Sequence, residues 1–460
     1  MTMAADKQDK VLNFSSEREQ SRACSSSAER ENNQGNNFLN VPNKRVQSQA
    51  CLSSAERAGL RTKGNAPTLR FPEFSGEWKK ERLRDKCSFF SGGTPSSTNK
   101  TYYDGDIPFI RSGEIASDST ELFLSESGLN NSSAKIVEKG DLLLALYGAT
   151  SGQIAISQIK GAINQAILCI RSPYDKFFLK SAWEKRVDKI LQAYLQGGQG
   201  NLSAEIVKNL SFYFPSSQEQ SKIGQLILLI DKRIDSQIRI IDKLKSLMQG
   251  LNNELMDNPK WEKVYVGDFM EFYSTNSFSW EQLNYDNGQV RNLHYGLIHS
   301  GLPTLVDCQK AHLPYIQVDS LPKQYSICKD GDVALADASE DTAEVGKTVE
   351  LTNIETQTIV CGLHTIHGRD CKDITVNGFK GFAFNSKYFH DQLRRIAQGS
   401  KVYSINTNNV RSCYLYIPTI AEQQKIVGLL RCMQEKIKVA EHGLQLYEAQ
   451  KQFLLRGLFV

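Results

Sequence analysis

This chain builds one pattern twice, and that duplication constrains its fold more than anything else in it. Pro215-Ser-Ser-Gln-Glu219-Gln220-Ser-Lys222-Ile223 returns, 203 residues later, as Pro418-Thr-Ile-Ala-Glu422-Gln423-Gln-Lys425-Ile426. Behind each copy runs a series with steps of four and three. The first is Ile223, Ile227, Ile230, Ile234, Gln237, Ile241, Leu244, Met248, Leu251 and Leu255. The second is Ile426, Leu430, Met433, Ile437, Ala440, Leu444, Tyr447, Lys451, Leu454 and Leu458. Such steps are the spacing of a coiled-coil seam. Gln237 and Lys451 are its polar interruptions, and a lysine is long enough to snorkel to solvent. The pattern predicts two long helices, each following its own preceding unit. A module built twice and joined by stiff rods suits a target that is twofold in shape, and duplex DNA is the commonest such object.

A length of 460 residues suggests two to four domains. Apolar residues make up 40%, enough for globular cores. No run of 18 apolar residues is present, so no membrane partner is expected. The first residues lack the apolar stretch of a secretory signal. The ten cysteines include no CxxC pair and are expected to be free thiols in a reducing cytoplasm. Net charge is +4, but residues 1–70 carry 11 Lys/Arg against 7 Asp/Glu, and the other 390 residues carry 44 of each sign. Net charge therefore gives no support for nucleic-acid binding by the body of the chain, which would need local patches or a partner.

Residues 1–66 are polar and poor in aromatics, and disorder is expected there. They hold a small repeat, Ala23-Cys24 to Arg30 and Ala50-Cys51 to Arg57. Order is expected from Leu69-Arg-Phe-Pro72-Glu-Phe-Ser-Gly-Glu-Trp78, echoed by Asn258-Pro259-Lys-Trp261. Strands are predicted at Ile107–Ile110, Asp141–Tyr147 and Ala166–Ile170, and a helix at Phe177–Leu195. In the second copy Lys329-Asp-Gly-Asp332 answers Glu138-Lys-Gly-Asp141, Gly362–Ile366 answers Ile163–Ile167, and Tyr388–Ile396 answers the helix near Trp183. Ile223–Leu255 would span about 50 Å of helix. Only Asp257–Lys260 separate it from the second unit, so the second helix has to run back antiparallel to pack on it. The expected shape is a dumbbell. Leu226, Leu228, Leu229, Ile238, Ile240 and Leu247 are apolar beyond the seam, which fits either a thicker intramolecular core or a bound protein.

Enzymatic motifs are missing. Asn258-Pro259-Lys-Trp261 lacks the second proline of an adenine methyltransferase motif. Gly346-Lys347-Thr348 has Asp341 where a phosphate loop needs its first glycine. Ser91-Gly92-Gly93-Thr94-Pro95 is a turn rather than a phosphate cradle. Cys361, His364, His367 and Cys371 are spaced like a metal set. Strand alternation places Cys361 and His364 on opposite faces, so ordinary strand residues and no metal are expected.

Two units of this size, each followed by a rod opening Pro-x-x-x-Glu-Gln-x-Lys-Ile, resemble the specificity subunit of type I restriction–modification enzymes. Phe71–Trp78, Lys139-Gly-Asp141, Asp330-Gly-Asp332 and Gly197–Ser203 add to the resemblance, which covers residues 69–460. The polar N-terminus and Lys451 depart from the usual pattern. The resemblance implies an α+β fold of two mixed α/β target-recognition domains in tandem. Each is followed by a long helix, and the helices form an antiparallel coiled coil with pseudo-twofold symmetry. The expected boundaries are 1–66 for the extension, 69–214 and 258–417 for the recognition domains, and 215–257 and 418–460 for the spacer helices.

The same resemblance implies a non-catalytic subunit that reads a bipartite double-stranded DNA target, one half per domain. It implies two modification subunits as partners, and restriction subunits in the full complex. S-adenosylmethionine, ATP and Mg would belong to those partners, with no cofactor in this chain. The contrasting reading is a coiled-coil structural adaptor without sequence-specific DNA binding. A self-contained enzyme is argued against by the missing motifs.

Candidate DNA contacts follow from residue type, because phosphates take Lys, Arg, Ser, Thr and amides while base edges take Arg, Asn and Gln. In the first domain they are Thr94, Lys100, Tyr102, Arg111, Ser112, Tyr147, Thr150, Ser151, Gln199 and Asn201. In the second they are Arg291, Asn292, His294, Lys347, Arg369, Lys401, Ser404 and Asn406.

Overall fold

The repeated motif is a helix start. In the computed structural model, which describes residues 64–195, 202–342, 344–399 and 401–460, helices run over Ser217–Met256 and Ile420–Leu458. The chain divides into two units, residues 1–60 and 61–460, and all described residues lie in the second. Each long helix begins six residues before its seam. Ser216 and Thr419 cap them, their hydroxyls accepting from the N–H of Glu219 (3.3 Å) and Glu422 (3.4 Å). Such caps satisfy amides that have no partner within the helix. Glu422 returns the bond to the N–H of Thr419 at 3.2 Å, closing a capping box. Glu219 is buried and instead takes Arg70 at 2.8 Å.

The glutamine that follows is a clamp. Gln220 donates to the Pro215 carbonyl (2.9 Å) and accepts from the N–H of Asp175 (3.1 Å). Gln423 donates to the Pro418 carbonyl (3.0 Å) and the Ile374 carbonyl (2.9 Å), and accepts from the N–H of Val376 (2.8 Å). Both side chains are buried. Each helix start is thereby tied to a distant loop of the unit before it, and an amide both donates and accepts as this requires.

The helix ends are shared between two cores. One core joins Trp78, Phe178, Trp183 and Phe212 to Ile223 and Ile227, from the start of the first long helix, and to Leu455 and Leu458 at the end of the second. Another joins Phe269, Phe382 and Phe389 to Ile426 and Leu430, from the start of the second, and to Met256 at the end of the first. All twenty seam positions are buried or half-buried. Between the helices, Gln237 donates to the Ala440 carbonyl (2.8 Å), Lys245 meets Glu441 (2.7 Å), and Arg233 lies 5.3 Å over the Tyr447 ring.

Lys451 does not reach free into solvent as its length allows. Its ammonium is held by Asp231 (2.8 Å) and Glu184 (3.0 Å), with Lys180 on the same carboxylates. Burial by itself lowers a lysine and raises a carboxylic acid. Here the opposite charges win, so Lys451 lies above and Asp231 below the ordinary range.

Among the described residues three sheets precede the first long helix. Lys79–Arg82 pairs with Ser211–Phe214. Ser88–Ser91, Ile167–Arg171, Leu142–Ala145 and Ile154–Ile156 form an antiparallel sheet in that order. Phe123–Leu124, Ile107–Ile110, Gly161–Ile163 and Lys135–Val137 form another. A corresponding set precedes the second long helix. Glu262–Tyr265 pairs with Tyr414–Ile417. Met270–Tyr273, Thr365–Asp370, Val333–Ala336 and Thr348–Thr352 follow in order, with Leu305–Asp307 added at the edge. Another sheet is Leu283–Asn284, Tyr315–Ile316, Val290–Leu293 and Thr358–Cys361, and Ala338–Ser339 pairs with Tyr403–Ser404. Helices Lys176–Leu195 and Lys387–Ile396 stand where the periodicity placed them. Among the described residues no helix is long and apolar enough to cross a membrane.

Candidate functional site

In the first half three loops meet at the end of the sheet that holds Leu142–Ala145. The strand Leu142–Ala145 runs into a turn whose Gly148 and Gly152 take φ of 85° and 86°, the left-handed region that suits glycine. The Trp183 indole N–H donates to the Gly152 carbonyl at 2.8 Å, and the Ser151 hydroxyl to the Leu146 carbonyl at 2.9 Å, so the turn is pinned from below. The Tyr147 hydroxyl donates to the Gln165 carbonyl at 2.6 Å, and the Thr94 hydroxyl donates to the Gln165 side-chain oxygen. Thr94 and Tyr147 thus meet at Gln165, which residue-type reasoning passed over, and Thr150 lies in the turn between Gly148 and Gly152. The signal of Gln165 was its place opposite His364 in the repeat. Leu202 N–H bonds the Leu146 carbonyl (2.8 Å) and brings the chain back beside this cluster. Gln199 and Asn201 lie outside the described residues.

Arg111 is committed elsewhere. It pairs with Glu114 (2.9 Å) and Glu121 (2.5 Å) around the turn that Ser112 opens, and holds the Glu114 carboxyl down at about 2. Lys100 is exposed and Tyr102 half-buried, both in the single-turn helix Lys100–Tyr103.

The corresponding loops of the second half gather rings. Trp280 lies 4.3 Å from His294, His294 4.7 Å from Tyr295, and Tyr295 5.3 Å from His364. His364 has a φ of 54° in the turn between two strands, and its Nδ1 is 3.2 Å from Asp337 Oδ1. Two expected contacts are corrected by burial. Asn292 is 0% exposed, its amide enclosed against Gly362. His294 is 3% exposed, and its Nδ1 accepts from the N–H of Gly296 at 3.0 Å as a helix cap. Burial, then the charge of His364, keeps its ring below the usual histidine range. Neither side chain presents itself at the surface.

Arg291 stacks over Tyr315 (5.1 Å) and donates to its hydroxyl (3.0 Å), while Lys347 pairs with Glu344 (2.8 Å). Lys401 and Ser404 are exposed, and Asn406 caps the helix Thr407–Ser412 through the Asn409 N–H (3.0 Å).

A Gly-Asp turn recurs beneath both loop clusters. Gly140 and Gly331 take φ of 96° and 83°. Asp141 accepts from the N–H of Glu138 (2.9 Å) and pairs with Arg171 (2.7 Å), which lies over Phe90. Asp332 accepts from the N–H of Lys329 (2.8 Å) and takes Arg369 bidentately at 2.7 and 2.6 Å, with Arg369 over Tyr273. Burial opposes ionisation of both aspartates, but the arginines hold both below the ordinary value. Arg369 is therefore a brace.

The spaced set Cys361, His364, His367 and Cys371 is not brought together. His364 faces Asp337, and the Cys371 thiol donates to the Phe269 carbonyl at 3.1 Å. Cys361 and His367 instead meet Cys328, with the two sulfurs 3.6 Å apart. His367 Nε2 is 2.7 Å from Asp332 Oδ2. Burial draws its ring down, but Asp332 and Cys328 outweigh it and push it up to about 9.

Residues 75–246 match the family model of the type I restriction modification DNA specificity domain. The MjaIX type I restriction enzyme specificity subunit of Methanocaldococcus jannaschii is 24% identical over 245 residues, covering 46% of this chain and 56% of that protein. The EcoR124I/EcoR124II specificity subunit of Escherichia coli is 24% identical over 180 residues, covering 36% and 44%. The chain thus spans about half the length of the curated relatives it matches. Among solved structures, the type I restriction-modification S subunit from M. genitalium superposes with a TM-score of 0.52 at 12% identity, over 86% of this chain and 99% of that one. A chain from a study of complex assembly and conformational transition in the type I system gives a TM-score of 0.51 at 15% identity, over 83% and 97%. The fold is that of these S subunits.

Proposed function

We propose that this chain, whose residues 75–246 carry a type I restriction modification DNA specificity domain, is the subunit that reads the DNA target of a type I restriction–modification system. The observation that carries the reading is the exchange of helix ends between the two cores. Each long helix starts in the core that precedes it and ends in the other. This supports two recognition domains in tandem, near 69–214 and 258–417, with an antiparallel coiled coil of pseudo-twofold symmetry between them. The side-chain pairs 231 with 451, 233 with 447 and 237 with 440, which rise on one helix as they fall on the other, support the same pairing.

In this reading each domain meets one half of a split duplex site, and the helices set the distance between halves. The contacting surface is the loop cluster at Thr94, Tyr147, Thr150 and Gln165, and the ring cluster at Tyr295 and His364. Lys100, Tyr102, Lys401, Ser404 and Asn406 flank them. The chain contributes recognition and no catalysis. Two modification subunits dock on the helices and supply S-adenosylmethionine chemistry, and restriction subunits supply ATP and Mg chemistry. Leu229, Ile238, Ile240 and Leu247, all exposed on the first long helix, offer such a partner apolar surface.

Insertion of one heptad into both helices tests this. Each lengthens by about 10 Å, at most about 3 base pairs at about 3.4 Å per pair. Mapping of methylated adenines with the modification subunit present is expected to show the same half sequences, further apart. Unchanged spacing with altered base preference refutes the ruler. Absence of any sequence-selective binding with the modification subunit favours the structural adaptor instead.

A further inference from the structure

We propose that Cys328, Cys361 and His367 form a zinc site in the second half of the molecule, with Asp332 orienting the histidine. The donor atoms of the three lie within 4.8 Å of one another. The residues are 2%, 2% and 0% exposed. The two sulfurs stand 3.6 Å apart. Two thiolates on one tetrahedral zinc, each at about 2.3 Å, are separated by about 3.8 Å. A disulfide needs about 2.05 Å. The spacing is too long for a disulfide and fits two ligands on one ion.

The histidine supplies an independent sign. Its Nε2 is engaged by Asp332 at 2.7 Å, and its buried Nδ1 has no hydrogen-bond partner. A neutral imidazole that gives one N–H to a carboxylate has a lone pair on the other nitrogen, and binding a metal there takes the place of the second proton. That is the arrangement found where histidine binds a metal with a carboxylate behind it. Soft thiolates with an imidazole select zinc over hard cations. Three protein donors leave one position of a tetrahedron for water.

The first half shows what the frame holds without such a set. Val137 directly precedes the Glu138–Asp141 turn as Cys328 precedes Lys329–Asp332. Ile163 pairs with Ile110 in parallel as Cys361 pairs with Leu293. Cys169 lies two residues before Arg171 as His367 does before Arg369. Val137, Ile163 and Cys169 are packed together in one apolar cluster. The proposal is therefore one zinc per chain, in the second half only. Its position behind the Asp332–Arg369 brace makes the ion a support for the ring-lined loop at His364.

Elemental analysis of the purified full chain decides it. About one zinc per chain is expected, and replacement by cobalt should give intense visible bands with sulfur-to-cobalt charge transfer in the near ultraviolet. Cys169→Ser should keep the metal. The triple change Cys328→Val, Cys361→Ile and His367→Cys installs the first-half residues, so it should fold and hold none. The far-ultraviolet circular dichroism of the triple variant checks the fold. Three results overturn the proposal: wild-type protein free of zinc after zinc loading, a mass spectrum showing a Cys328–Cys361 disulfide, or full zinc content in the folded triple variant.

Discussion

The two halves share a backbone frame and a polar turn, yet differ in what they enclose. Both set a Gly-Asp turn against an arginine, Asp141 with Arg171 and Asp332 with Arg369, and both lay that arginine over an aromatic ring. Behind the turn the first half packs Val137, Ile163 and Cys169, while the second holds Cys328, Cys361 and His367. The register repeats the contrast. Leu142 faces Ile156 where Val333 faces Glu350, and Glu350 is 0% exposed. Its carboxylate accepts from the N–H of Gly378 and of Gly381, both at 2.7 Å, and meets Lys380 at 3.3 Å. One frame thus accepts an apolar or a polar interior. The polar version holds only while every partner is present, because a buried group that loses its partner keeps the cost of leaving water.

The largest expected effect comes from breaking that polar interior. Lys380→Met leaves Glu350 buried without its cation and should cost about 3–5 kcal/mol in urea unfolding. Burial already holds the Glu350 carboxyl above its usual value, and the variant should raise it further. Adding Glu350→Ile, the first-half residue, should recover part of the loss. Recovery is incomplete because two glycine amides then lack an acceptor. Full additivity of the two changes would mean the residues do not form a pair.

Next come the clamps that the halves have in common. Each alanine substitution should cost about 1–3 kcal/mol for the polar groups left unpaired. Gln423→Ala should cost more than Gln220→Ala, since Gln423 makes three bonds and Gln220 two. Equal midpoint shifts in denaturant would undo the distinction.

A smaller effect is expected from Lys451→Met, which copies Met248 of the first seam into the second. Asp231 is held low by Lys180 and Lys451 against the pull of burial. A depressed carboxyl stabilises above its unfolded value of about 3.9 and ceases to do so as pH falls through the folded value. The variant should lose about 1–2 kcal/mol at pH 7, with the difference from wild type closing toward acid pH. A gap that stays constant down to pH 2 would assign the loss to packing rather than charge.

Least disturbing to the fold is His364→Gln, which gives the second loop cluster the residue of the first. Stability should stay within about 0.5 kcal/mol. Methylation mapping in the complex should then show changed preference in one half of the target alone. Changes in both halves, or in neither, would remove His364 from the reading surface.

Much of the frame was legible from local signals. The 4,3 spacing set both long helices, whose ends fall within one residue of the last seam position and whose starts lie six residues before the first, and apolar runs located Ile107–Ile110, Leu142–Ala145 and Ile167–Arg171. The candidate site was legible only by residue type. Type alone cannot tell that Asn292 is enclosed, that Arg111 and Arg369 are spent on carboxylates, or that Gln165 anchors a loop cluster. Those facts depend on neighbours far away in the chain. Cys361 shows the same limit. Its nearest histidine in sequence is His364, yet the fold gives it His367 and Cys328, because a turn after Cys361 sends His364 toward Asp337 while the next strand carries His367 inward.

By itself the sequence determined the duplication and the seams, since periodicity within a few residues is enough to specify them. Tertiary structure alone decided which side chains of each core meet the helix ends, which polar groups are braces, and which buried side chains face one another. Those outcomes follow from long-range packing, where residues hundreds of positions apart share one environment and their chemistry is set by what surrounds them.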